Sequence, residues 1–278
     1  MLKKKLARLI LQLEKMESVL IAYSGGVDSS LLLRLAKRTL GNNVLAVTAD
    51  SCVYPKHQLR FARKISAKWG IKHKIIKINK LNNKSFAKNP INRCYYCKKE
   101  LFKRLWRIAR QHKINFVLDG SNASDAQDFR PGNKAKREFN IRSPLEECGI
   151  DKQDIYRLSR IFNLPTRNIP STVCLASRIP YGQPIILGDL KIIEKAEDYI
   201  RRLSFKQVRL RQYNLNNGLK LARIELEISD LARLFNASLC HKITSYLKRL
   251  GYDYITLDLE GYRSGSMNES IRLLSQRR

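Results

Sequence analysis

Acidic residues are scarce in this chain. It carries 24 Asp and Glu against 54 Lys and Arg in 278 residues, for a formal net charge of +30. A field of that sign draws in nucleotides, tRNA and phosphorylated small molecules. The basic residues are spread along the whole sequence, so the excess speaks more of solubility and non-specific attraction than of one partner. Long apolar runs are also missing: none approaches the roughly 18 residues a membrane span requires. The first stretch, "MLKKKLARLILQLEKMES", is basic and amphipathic, with Leu2, Leu6, Leu9, Ile10, Leu13 and Met16 at helical spacing. It has no small-residue cleavage site, so a structural helix is expected there and no secretion signal. The six cysteines (52, 94, 97, 148, 174 and 240) then belong to a cytoplasmic chain, in which ligand or catalytic use is expected before a disulfide framework. No internal repeat or low-complexity segment occurs.

What is present is alternation of two periods. "SVLIAY" (18–23), "NVLAVTA" (43–49), "HKIIKI" (73–78) and "NFVLD" (115–119) read as buried strands. Helical patterns over Ser29–Leu40, Lys56–Trp69 and Arg93–His112 separate them. Strand and helix in alternation imply α/β architecture: a doubly wound parallel sheet covered on both faces, whose ligands bind beyond the carboxyl ends of the strands. Between Pro165 and Pro184 the pattern fails, with four prolines in "PTRNIPSTVCLASRIPYGQP". A loop of that length is expected to be functional. Beyond it, a helix (188–203), two strands (206–213 and 219–227) joined at Asn216–Asn217–Gly218, a helix (229–250) and a strand (252–259) suggest a smaller C-terminal α+β domain. The division expected is 1–165 for the first domain, 166–186 for the loop carrying Cys174 and 187–278 for the second.

"IAYSGGVDSSLLLRL" (21–35) carries the first chemistry. Gly25 and Gly26 let the backbone turn sharply and approach a ligand. The helix that follows, starting near Asp28–Ser29, points its unpaired N–H groups and dipole into the loop. Ser24, Ser29 and Ser30 add hydroxyls, and "DGSNASD", with Gly120, follows the fourth strand on the same sheet edge. The loop has no Gly-Lys-Ser/Thr ending, so no lysine is supplied to a γ-phosphate. A pyrophosphate seat without that lysine suits attack at the α-phosphorus, with pyrophosphate leaving and AMP passing to an acceptor. Asp28 is the candidate ligand for Mg²⁺, since hard cations take carboxylate oxygens. "SGGVDS" resembles the PP-loop of the ATP pyrophosphatases, a group with the adenine nucleotide alpha hydrolase-like fold that includes NAD, GMP, asparagine and argininosuccinate synthetases and the tRNA thiolases. The resemblance implies ATP binding and adenylation of a substrate.

Further along, "RCYYCKKELF" (93–102), "DGSNASDAQDFRPG" (119–132), "RSPLEECGI" (142–150), "LPT" (164–166), "CLASRIPYG" (174–182) and "GYRSGSMNE" (261–269) occur in this order. Together they resemble the LarE family of ATP-dependent sulfur transferases, over nearly the whole chain. Val173 stands where that family often has proline. The resemblance implies adenylation of a carboxylate on a pyridinium dicarboxylate mononucleotide, then conversion to a thiocarboxylate for the nickel-pincer nucleotide cofactor. It also implies a small-molecule nucleotide substrate and a homo-oligomer. Two sulfur sources follow from it. Cys174, a loop cysteine with Arg167 and Arg178 nearby in sequence, would give up its own sulfur; positive charge favours the thiolate such chemistry needs. Alternatively, Cys94, Cys97 and Cys174 would hold a four-iron four-sulfur cluster bearing an extra sulfide, and the presence of all three cysteines favours that version. Cys94 and Cys97, at i and i+3 near a helix start, share one face; a redox pair or an inert packed pair fits the same spacing. Arg209 and Arg211, alternating on one strand, and Arg223 on its partner suit a substrate phosphate. Glu197 and Asp230 are candidates for proton transfer or substrate orientation. A tRNA-thiolating enzyme is the alternative that the positive charge favours, but no RNA-binding module accompanies the loop.

Overall fold

The structure, a computed structural model, describes residues 1–127, 130–167, 174–263 and 265–268. Val173 and much of the proline-rich loop therefore lie outside the described residues, as do Ser264 and Glu269 of the last motif. The chain divides into two compact units: Met1–Phe86 with Asn92–Thr172, and Ala87–Ile91 with Val173–Arg278. Among the described residues no helix is long and apolar enough to cross a membrane.

The first unit is built on β1 (Val19–Ala22), β2 (Val44–Asp50), β3 (Lys72–Lys77) and β4 (Phe116–Leu118). They form one parallel sheet in the order β3-β2-β1-β4, with Val19 opposite both Val44 and Phe116. The helices are α1 (Leu2–Glu14), α2 (Val27–Leu40), α3 (Lys56–Lys68), α4 (Arg93–Gln111), α5 (Gly132–Glu138) and α6 (Lys152–Ile161). The core divides into two clusters. One gathers Leu9 and Leu13 of α1, Leu31, Leu32 and Leu35 of α2 and Ile155 and Leu158 of α6. The other gathers Leu20, Val47 and Val117 of the strands with Phe102, Leu105 and Ile108 of α4. Apolar residues at helical spacing face a sheet whose central strands are buried over most of their length, which is why these strands read as continuous apolar runs. The doubly wound α/β reading is what the structure has. Because β2 and β4 flank β1 on opposite sides, the loops after β1 and β4 open at the point where the winding reverses.

The second unit contains β5 (Val208–Asn214), β6 (Lys220–Leu226) and β7 (Tyr254–Leu257) in that order; β5–β6 is antiparallel and β6–β7 parallel. Gly218, at φ +79°, turns the hairpin, and Leu215 and Leu219 close it by a 2.8 Å backbone bond. α7 (Leu187–Arg202) buries Leu190, Ile193, Ala196 and Ile200 on one face. The helix expected over 229–250 is broken. A single turn (Ile228–Leu231) and a 3₁₀ turn (Ala232–Phe235) precede α8 (Ala237–Arg249). Asn236 is the reason: its extended backbone (ψ 111°) ends the first piece, and its side chain accepts from Leu239 N at 2.9 Å to cap the second.

Candidate active site

In the first unit the loop after β1 is knitted by its own hydroxyls. Ser29 Oγ donates to Gly26 O (3.2 Å) and meets Ser24 Oγ at 3.0 Å, while Gly26 N donates to Ser24 Oγ at 3.3 Å. Gly25 sits at φ +80°, where a side chain would be strained, and an added Cβ would lie 3.2 Å from Ala62 Cβ. Gly26 caps α2 with no side-chain bond, so first-turn N–H groups are left facing the loop. Gly120 is tighter than Gly25: a Cβ there would stand 2.9 Å from Ser29 N and 3.0 Å from Ser29 Cα. The two loops read from the sequence are therefore packed backbone against backbone. A cavity of about 210 Å³ opens beside them, lined by Tyr23, Ser24, Asp28, Thr48, Tyr54 and Lys152 among others.

The charges around this cavity are balanced. Asp28, in the first turn of α2, takes both its oxygens to Lys152 Nζ at 2.7 and 2.8 Å. Sequence reasoning missed Lys152, because 124 residues separate the pair and only the fold joins them. Asp119, at the end of β4, was also missed, although its place on the carboxyl edge of a strand was a usable signal. It accepts from Ser143 Oγ (2.7 Å), Ser121 Oγ (3.0 Å) and Ser121 N (3.1 Å), with Lys98 Nζ at 3.4 Å. Burial pushes its carboxyl up, but Lys98, Lys136 and these donors outweigh burial and hold it below the usual carboxylate range. Asp119 is thus an ionised hub that fixes the loop carrying Gly120. Behind the cavity, His73 bridges Ser66 Oγ (Nδ1, 2.7 Å) and Thr48 Oγ1 (Nε2, 2.8 Å), while Thr48 donates to Tyr23 O. Burial, then Arg63, lowers the His73 pKa.

Cys94 and Cys97 stand in the first turns of α4. Cys97 Sγ is 3.8 Å from Tyr54 Oη, and Cys97 O accepts from the buried Lys80 Nζ at 2.8 Å. Among the described residues, no three His, Cys, Asp or Glu side chains group so as to hold a metal ion. One helical turn supplies the two thiols of the expected three-cysteine centre, and Cys174 belongs to the second unit.

In the second unit Cys174 is partly exposed and begins a 3₁₀ turn, Leu175–Arg178. Two buried arginines brace that turn from its backbone side. Arg178 donates to Cys174 O at 3.2 Å and to Ser177 Oγ at 2.9 Å; Arg211 donates to Ser177 O at 2.9 Å. Each is held in turn by a carboxylate. Glu197 takes Arg178 at 2.7 and 3.1 Å, and Glu225 takes Arg211 at 2.9 and 2.8 Å. Such two-pronged pairs fix guanidinium planes, and through them the turn. Asn89, at φ +55°, ties down the stretch after it: its Nδ2 faces the carbonyls of Pro180 (2.7 Å), Gln183 (2.9 Å) and Ile179 (3.3 Å). Arg178, read as a charge near the thiol, places its guanidinium on the Cys174 carbonyl. Arg167, the other arginine read beside Cys174, lies in the first unit and bonds Asn163.

Glu197 is fully buried. Burial raises its pKa, yet Arg178, then Arg201 and Arg209, overcome that and keep it low. Its two oxygens are taken by Arg178, Arg201 and Leu210 N. Arg211 is committed to Glu225 and Ser177. Burial, then the neighbouring Arg178, drive the pKa of Arg209 down to about 10, with Glu197 acting the other way. Arg209 bonds Val208 O at 3.0 Å and lies over the Tyr262 ring. Arg223 pairs with Glu225 (3.1 Å), and Asp230 with Arg233 (2.9 Å).

Comparison with known proteins agrees with this layout. The NAD synthase family model matches residues 2–124. The pyridinium-3,5-bisthiocarboxylic acid mononucleotide synthase of Lactiplantibacillus plantarum is 34% identical over 271 residues, covering 96% of this chain and 95% of its own length. An uncharacterized protein of Synechocystis is 39% identical over 98% of this chain and 99% of its own. The NH(3)-dependent NAD(+) synthetase of Campylobacter jejuni is 34% identical over 156 residues only, 53% of this chain and 60% of its own.

Proposed function

We propose, on the premise that this chain belongs to the LarE family of ATP-using sulfur transferases, that it converts a carboxylate of a pyridinium dicarboxylate mononucleotide to a thiocarboxylate, with Cys174 as the sulfur donor. The observation that carries the reading is the braced Cys174 turn, in a chain that aligns from end to end with the pyridinium bisthiocarboxylate synthase. The first unit holds ATP. The small-residue loop and the first-turn N–H groups of α2 take its phosphates, and Asp28 would hold the accompanying Mg²⁺, which adds charge neutralisation to the leaving pyrophosphate.

A carboxylate oxygen of the substrate attacks the α-phosphorus. The bond to the bridging oxygen breaks, pyrophosphate leaves and an acyl adenylate forms. The Cys174 thiolate then attacks the acyl carbon and AMP departs, leaving a thioester between substrate and protein. Loss of the Cys174 Cα proton pushes electrons into a Cα=Cβ bond as the Cβ–S bond breaks. The sulfur stays on the product as a thiocarboxylate, and residue 174 becomes dehydroalanine. Each chain delivers one sulfur. Arg178 and Arg211 position the thiol-bearing turn, and Arg209 meets the substrate phosphate.

The test is whole-protein mass before and after turnover with ATP, Mg²⁺ and pyridinium-3,5-dicarboxylate mononucleotide. The expected result is loss of one H₂S at Cys174, with AMP and pyrophosphate formed in step. Thiolated product from protein with Cys174 intact would overturn the donor assignment; stoichiometric iron in that protein would return the sulfur to a cluster.

A further inference from the structure

ATP loops that lack a lysine still have to neutralise a triphosphate, and this fold brings one from elsewhere. Lys152 is the first residue of α6, and its own N–H is tied to Ser124 Oγ at 3.1 Å. Its ammonium is shared between both oxygens of Asp28 (2.7 and 2.8 Å) and the face of Tyr156, 5.4 Å from the ring centre. The pair is within solvent's reach, with side-chain exposures of 32% and 27%. Asp125 stands close enough to feel both charges, and is itself engaged by Arg130 (2.7 Å) and Asn122 N (3.1 Å). The carboxylate best placed for a hard cation is therefore covered by a cation of the chain's own.

We propose that Lys152 guards Asp28 and exchanges it for nucleotide phosphate, so that the divalent cation is admitted to the loop together with ATP. The inference rests on the reading that ATP phosphates occupy the Ser24–Ser29 loop. A lysine on a flexible four-carbon stem behaves as a movable point charge. Before nucleotide arrives, its best counter-ion is the single charge of Asp28. A triphosphate offers several, so the ammonium swings to it and uncovers the carboxylate. A divalent ion arriving alone must instead share Asp28 with an ammonium about 5 Å away. Even at the dielectric of water, that repulsion weakens binding about tenfold.

Mn²⁺ serves as the probe, read by electron paramagnetic resonance and by titration calorimetry on the full chain, with and without α,β-methylene ATP. Nucleotide-free wild type is expected to bind Mn²⁺ weakly, and Lys152→Met and Lys152→Gln about tenfold more tightly. The gain should vanish in Asp28→Asn/Lys152→Met. Lys152→Arg, which restores a cation, should return affinity toward wild type. With the ATP analogue the wild type tightens on Mn²⁺, whereas Lys152→Met shows a reduced ratio between the two conditions. Unchanged Mn²⁺ affinity in both folded Lys152 variants overturns the guard, as does a gain that survives Asp28→Asn. Failure of the wild type to bind the ATP analogue at all would count against the nucleotide reading itself, separately from the guard.

Discussion

Replacing Glu197 by glutamine removes one negative charge and almost no volume, at a side chain that is 0% exposed and faces Arg178, also 0% exposed. The glutamine keeps one carbonyl acceptor but cannot receive both prongs of the guanidinium, nor neutralise it. It also turns an amide N–H₂ toward either Leu210 N, a donor bonded to Glu197 Oε1 at 3.1 Å, or Arg201. Breaking a buried ion pair from one side costs about 3–5 kcal/mol, because a charge is left buried without its partner. If the second unit unfolds on its own, about 3 kcal/mol is a fall of more than 10 °C in its melting temperature. Urea unfolding followed by circular dichroism, with scanning calorimetry to separate the two units, measures both quantities. A companion variant, Arg178→Met/Glu197→Leu, removes both charges and is expected to recover part of the lost stability, since Arg201 and Leu210 N still lose their acceptor. It should not recover sulfur transfer, since the grip on Cys174 O is gone with the arginine. Glu197→Gln should still bind ATP, which is read at the loop of the other unit. Unfolding of Glu197→Gln within 1 kcal/mol of wild type (roughly the worth of one ordinary hydrogen bond) would refute the account of Glu197 as the counter-ion of the thiol turn.

Gly120→Ala places a methyl 2.9 Å from Ser29 N, against backbone that cannot step aside cheaply. ATP affinity measured by calorimetry should fall by about tenfold or more, as a displaced loop loses preorganised N–H contacts. Asn89→Ala strips the donor from the carbonyls of Ile179, Pro180 and Gln183 and leaves alanine at φ +55°; destabilisation of about 2–4 kcal/mol is expected in chemical denaturation. His73 has a folded pKa below its ordinary 6.5, so the stability it contributes is complete above that value and is lost as pH falls toward the folded pKa. Melting temperature should therefore decline below about pH 6.5 in wild type, and His73→Gln should flatten that limb. Asp119 and Glu197, also held low, contribute stability that is lost only as pH falls below their ordinary carboxylate values of 3.8 and 4.5, so the two acid limbs separate.

Much was legible from local pattern. Alternating periods gave the parallel sheet, and two small-residue loops after β1 and β4 were placed on its carboxyl edge, because both depend on neighbours within a few residues. Gly25 and Gly120 could be named for the same reason: a tight turn or a close approach requires a residue without Cβ. The broken helix at Asn236 shows the limit of such reading, since an apolar period continues across a capping residue that ends one helix and starts another.

Tertiary structure alone decided the partners. Asp28 meets Lys152 only once segments 124 residues apart are packed, and Ala87–Ile91 leaves the unit around it to join the other. It also decided that Arg178 braces the Cys174 turn from its backbone side. The physical reason is that residue type and spacing fix which groups a segment can offer, whereas a charge's counter-ion is chosen by distance in space. Distances between remote segments are set by the packing of the core, which a linear pattern does not encode.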